Sequence, residues 1–234
     1  MAQHVPLNNV DHAALRIGTA RGAAWGDAVM SAVTFPGEFR NVQACYPIVF
    51  QKAVDGGFQP LALFGFKPGQ NLFLDGNRWD ASYLPLAIER QPFLIGREGD
   101  ELAMHVDLDS PRISSDGEAL FLAHGGNSEF LERMNSVLLA LHQGLQATPA
   151  FIDALLAHEL LESFVFDIRL DDGSDRRLAG YYTINEDRLR ALGAGALDAL
   201  HRRGHLEAIY MALASLSRFR DLIDRVNRGH GSDA

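Results

Sequence analysis

Apolar positions alternate at short range in the first half of the chain and recur at helical spacing in the second, which predicts strands followed by helices. Residues 1–40 read as irregular, and 26–30 are too weakly periodic to assign. The run Tyr46-Pro47-Ile48-Val49-Phe50 predicts a strand, Asp55-Gly56-Gly57 a turn, and residues 60–66 the returning strand of a hairpin. A turn at Lys67-Pro68-Gly69-Gln70 and a short strand over 71–75 complete a meander. Residues 81–90, with Pro85 inside, fit a short helix or a loop. Residues 92–96 and 101–108 predict a second hairpin around Arg97-Glu98-Gly99-Asp100. In it Leu102, Met104, Val106 and Leu108 mark the buried face of a half-buried strand.

The second half changes period. Residues 128–145 place Phe130, Leu131, Met134, Val137, Leu138 and Leu141 on one helical face, with Ser128 as cap and Gly144 as stop. Thr148 and Pro149 then open another helix, carrying Phe151, Ile152, Leu155, Leu156 and Leu160. A hairpin follows, with strands over 164–170 and 178–184 around Asp171-Asp172-Gly173-Ser174-Asp175. Asn185 caps a short helix through Leu192, a final helix covers 205–226, and residues 229–234 read as a disordered tail. The expected fold is α+β: an antiparallel β-rich N-terminal half of short hairpins (40–110), then helices around a further β-hairpin (128–226). No linker separates the halves, so one domain over 1–234 is expected.

Composition narrows the function classes. The 234 residues carry 21 Lys+Arg against 30 Asp+Glu, a net charge of −9. That field argues against general nucleic-acid or anionic-membrane binding. Residues 201–234 alone are net positive, with 6 basic and 4 acidic side chains, which fits a helix face. No apolar run reaches transmembrane length, so no integral membrane segment is expected. The N-terminus lacks the pattern of a cleaved leader, so the default compartment is the cytoplasm. The single cysteine, Cys45, precedes an apolar run and reads as a small buried hydrophobe.

Motifs for chemistry are sparse. There is no nucleophile elbow, Walker loop or dinucleotide fingerprint, and His124-Gly125-Gly126-Asn127 reads as a turn into the Ser128 cap. The sharpest metal candidate is His105-Val106-Asp107, where strand alternation puts His105 and Asp107 on one face. His124, His142 or His158 would be the third ligand, but the alternation turns that face toward solvent. His201 and His205 share zinc-like spacing, but Gly204 interrupts the helix, and a helix-end role accounts for them better. Neither a metal nor another cofactor is expected.

Aromatic residues are more informative. Tyr46, Phe50, Phe64, Phe73, Trp79, Tyr83 and Phe93 crowd one stretch, interrupted by prolines. They fit an aromatic-lined groove for a peptide or small ligand, although core packing of a compact sheet is the reading aromatics favour. The binding residues expected are Tyr46, Asn71, Trp79, Tyr83 and Arg90.

In these residues the chain resembles the SapC family of bacterial proteins. The resemblance runs through Tyr46-Pro47-Ile48-Val49-Phe50, Pro60-Leu61-Ala62-Leu63-Phe64-Gly65, Asn71-Leu72-Phe73-Leu74-Asp75, Trp79, Tyr83-Leu84-Pro85 and Gln91-Pro92-Phe93. It resumes at Leu178-Ala179-Gly180-Tyr181-Tyr182, 187–189, Leu200-His201, Gly204-His205-Leu206, Ile209-Tyr210 and Leu213-Ala214-Ser215-Leu216, spanning about residues 10–220. His105 and Asp107 are not part of the pattern. The family takes its name from a protein of a bacterial paracrystalline surface layer. Its genes tend to neighbour those of tryptophan-halogenase-like flavoproteins, cupin-like oxygenases and TonB-dependent receptors. The resemblance therefore implies a non-enzymatic accessory or surface-layer-related protein with a protein or peptide partner or a small ligand, and it brings no catalytic residues. A surface-layer role would require leaderless export. The alternatives are an enzyme or enzyme-partner subunit in oxidative modification, and a soluble accessory of a TonB-dependent or peptide transport system.

Overall fold

A computed structural model describes residues 3–53, 56–99 and 101–230. The chain is α+β, 36% helical and 27% strand, with strands concentrated in the N-terminal half and helices in the C-terminal half. Contacts group it into two compact units. The first comprises Met1–Ala28, Leu74–Asp80 and Leu86–Gln143; the second comprises Val29–Phe73, Ala81–Pro85 and Gly144–Ala234.

The first unit is built on the expected hairpin. Strands Phe93–Glu98 and Glu101–Asp107 pair antiparallel, and His4–Pro6 adds to the outer edge with Val5 opposite Val106. Val106 is fully buried, while Met104 and Leu108 pack against a core of Ile17, Phe93, Leu120, Leu131, Met134 and Leu138. Leu102 departs from the expected face: it lies at the hairpin tip and is 52% exposed. Arg16–Ile17 pairs with Ile113–Ser114 and with Glu118–Ala119 in a small second sheet. The irregular reading of residues 1–40 therefore needs correction, because these strands are too short to show a period and are fixed by their distant partners.

The second unit holds a five-stranded antiparallel sheet, ordered Leu161–Arg169, Asp175–Ile184, Ile48–Lys52, Phe58–Leu63, Ser31–Val33. The hairpin of Ile48–Lys52 and Phe58–Leu63 is as expected, although Asp55 of its turn lies outside the described residues. The meander is not completed by residues 71–75. There Asn71 Oδ1 accepts the Phe73 N–H at 3.0 Å, a local side-chain bond that turns the chain instead of extending it. Only Leu74–Asp75 is strand, paired with Arg78–Trp79. The open edge of Ile48–Lys52 is taken by Asp175–Ile184 from the C-terminal hairpin.

Two helix boundaries also differ. Residues 129–157 form one helix, Glu129–Ala157, with Pro149 inside. Ser128 caps it, its Oγ accepting the Leu131 N–H at 3.2 Å. Gly144 is not a stop. The Phe35 ring packs so closely there that a Cβ would sit 2.1 Å from Phe35 Cδ2, so the glycine answers a tertiary contact. The Thr148 hydroxyl donates to the Gly144 carbonyl at 2.8 Å, next to the turn where proline removes a donor. The last helix divides into His205–Ser215 and Arg218–His230. At the break Ser215 and Ser217 donate to the carbonyls of Ala212 and Ala214, competing with the backbone ladder. A further helix, Ala194–Arg202, precedes them, and the Asn185 cap on Glu186–Arg190 is as expected. Residues 231–234 of the expected tail lie outside the described residues, and 229–230 belong to the last helix.

Candidate binding site

The residues nominated for binding divide between the units. Tyr46, Asn71 and Tyr83 belong to the second. Tyr46 is fully buried, its ring edge-on to Phe64 and Phe73 at 5.2 and 4.7 Å. Its hydroxyl donates to the Tyr83 carbonyl, and the Tyr83 hydroxyl donates to buried Glu38 at 2.9 Å. Thr34 donates to the other Glu38 oxygen at 2.6 Å. This aromatic cluster is core, tied together by hydroxyls that satisfy a buried carboxylate. Cys45, expected to be buried, is half-exposed, with its Sγ 3.2 Å from Ser82 Oγ.

Trp79 and Arg90 belong to the first unit. Trp79 is half-buried on its two-residue strand. Arg90 follows the short helix Leu86–Glu89, and its position is fixed by backbone bonds from Arg90 N–H to Leu86 and from Phe93 N–H to Arg90. Its guanidinium donates to the Phe93 carbonyl at 2.5 Å. Among the described residues no carboxylate lies within 4 Å of it, and the neighbouring Glu89 is engaged by Arg133. Burial pushes the Arg90 pKa below the ordinary arginine value, and no acid offsets the shift. Arg90 lines a cavity of about 340 Å3 with Trp25, Pro92, Asp107, Asp109 and Ser110.

That cavity has a built wall. A Cβ at Gly18 would sit 2.8 Å from Trp25 Cζ3, so the missing side chain makes room for the indole. Asp107 is committed elsewhere: one oxygen accepts the Asp109 N–H at 3.1 Å and the other faces His4 Nε2 at 3.9 Å. His105 does not point to solvent as expected. Its ring covers Gly96, and its Nε2 is buried without a hydrogen-bond partner. Among the described residues no three His, Cys, Asp or Glu side chains gather to hold a metal.

A second arginine in the same unit, Arg112, is fully buried and behaves differently. Arg112 donates to Asp27 Oδ1 at 2.6 Å and to the Ala20 carbonyl at 3.0 Å, while Asp27 Oδ2 accepts the Gly22 N–H at 3.0 Å. Arg21 stands 3.6 Å from the same carboxylate. Burial first, and the Arg112 charge second, lower the Arg21 pKa. No local pattern marks this pair, whose members stand 85 residues apart.

The SapC family model matches residues 7–222, which takes in most of both units and the Arg90 segment. The chain belongs to the SapC family. No curated protein and no solved structure matches it. Among the described residues of this SapC chain, no helix is long and apolar enough to cross a membrane.

Proposed function

We propose that this SapC-family chain is a non-enzymatic accessory protein that captures a carboxylate-bearing peptide or small ligand at Arg90. The observation that supports the reading is a half-buried guanidinium on a residue that lines a cavity, with no carboxylate within 4 Å of it among the described residues. Burying a charge is costly unless it is paired, and a ligand anion would supply the missing charge. An arginine fork holds a carboxylate through two parallel bonds, and the end of a peptide chain offers such a group. The cavity volume lies in the range of small-molecule sites, and Trp25 and Pro92 give its wall an apolar surface for the ligand body.

Calorimetric titration with a short peptide tests this directly, comparing a free C-terminal carboxylate with its amide. Binding of the acid form, weakened about tenfold or more by amidation and by Arg90→Leu, is the expected result. Equal binding of acid and amide would rule out carboxylate capture.

A further inference from the structure

The second unit carries a separate open cleft of about 410 Å3, unrelated to Arg90 and lined by different residues. Arg40 and Asn41 come from the short helix Phe39–Val42; Arg203, His205 and Glu207 come from the junction of Ala194–Arg202 with His205–Ser215. The junction is made at Gly204, whose φ of +73° is natural for glycine and strained for other residues. That sharp turn brings Arg203 and His205 to one cleft, where continuous helix would have separated them. Gly204-His205-Leu206 is also among the residues that carry the family pattern, and the Arg90 reading leaves it unused.

The charges in the cleft are unbalanced. Arg40 is bonded to Glu207 at 2.6 Å, which places its guanidinium at the rim and occupies the one carboxylate lining the cleft. The long helix contributes Gly144, Ala147 and Phe151, none of them charged. Among the described residues, the Arg203 side chain has no hydrogen bond or ion pair. The His205 imidazole has no hydrogen bond either; its ring meets Phe151 edge-on at 5.5 Å. A chain of net charge −9 thus gathers two arginines and a protonatable imidazole around one concavity. Local positive potential of this kind concentrates anions against the overall field.

We propose that this cleft binds a tetrahedral dianion, the group presented by a small phosphate monoester. Arg40 lines it from one helix and Arg203 and His205 from the junction, and a dianion draws more on the net positive charge of that lining than a singly charged carboxylate does. His205 makes binding pH-dependent. Burial first, and Arg203 second, lower its pKa from the ordinary value, so the imidazole is neutral near pH 7. A bound dianion favours the charged ring, so affinity rises as pH falls toward and below the ordinary histidine value of about 6.5.

The test uses sulfate, whose charge is constant over that range, and follows the His205 ring by NMR at low ionic strength. Sulfate should raise the His205 titration midpoint. Arg203→Ala should weaken sulfate binding about tenfold and remove most of that rise, and Glu207→Gln should tighten it. Arg203 is exposed, so its variant should keep the native circular dichroism spectrum. A His205 midpoint that does not respond to sulfate would overturn the site. An acetate affinity equal to that of sulfate would overturn the dianion assignment.

Discussion

Arg112 and Arg90 lie in the same unit, on either side of the same hairpin, yet their surroundings are opposite. Arg112 is 1% exposed and meets a fully buried Asp27, with the carbonyl of Ala20 taking a further donor. Arg90 meets one carbonyl and an open cavity. A buried charge requires a counter-charge. Where the fold provides one, the arginine is structural; where it does not, as at Arg90, the arginine is the one we propose for a ligand. The difference separates the two roles without reference to any catalytic motif.

The comparison is broken most severely at the pair. Asp27→Ala leaves Arg112 buried without its carboxylate and should cost about 3–5 kcal/mol in denaturant unfolding. Replacing both members, Asp27→Leu with Arg112→Met, should recover most of that loss, because the penalty lies in the unpaired charge and not in the missing bond. A double variant as unstable as Asp27→Ala would show that the pair contributes more than mutual neutralisation. Gly18→Ala acts on the other side of the comparison. It should shift the Trp25 indole into the Arg90 cavity at a cost of about 1 kcal/mol, read as a change in tryptophan fluorescence and weaker ligand binding. Arg90→Leu should have the smallest effect on stability, within about 1 kcal/mol, since it removes a desolvated charge along with one hydrogen bond. A loss as large as that of Asp27→Ala would make Arg90 a structural residue.

What was legible in the chain was local. The hairpin of 93–107, the C-terminal hairpin and the caps at Ser128 and Asn185 follow from alternation, turn residues and side-chain acceptors within a few positions. The helix through Gly144 was not legible, because the glycine serves the ring of Phe35, more than a hundred residues earlier. The serine break after Ser215 was hidden for a different reason: apolar spacing continues across it while the hydroxyls take the carbonyls. At the candidate site Arg90 could be nominated from its place beside the aromatic stretch. Its companions could not, since Trp25 and the turn of Asp107 to Ser110 reach the cavity from separate segments. Of the aromatic residues proposed to line a groove, Tyr46, Phe64 and Phe73 form packed core. Composition alone does not distinguish a groove from a core.

The most direct test of the Arg90 account watches both arginines at once. In an NMR spectrum of the arginine Nε–H groups, with Arg90 assigned through Arg90→Lys and Arg112 through its paired state, acetate is titrated into the protein. The account predicts a saturable shift of the Arg90 resonance while Arg112, already neutralised by Asp27, stays fixed. An Arg90 resonance that does not move, or moves no more than Arg112, would contradict it.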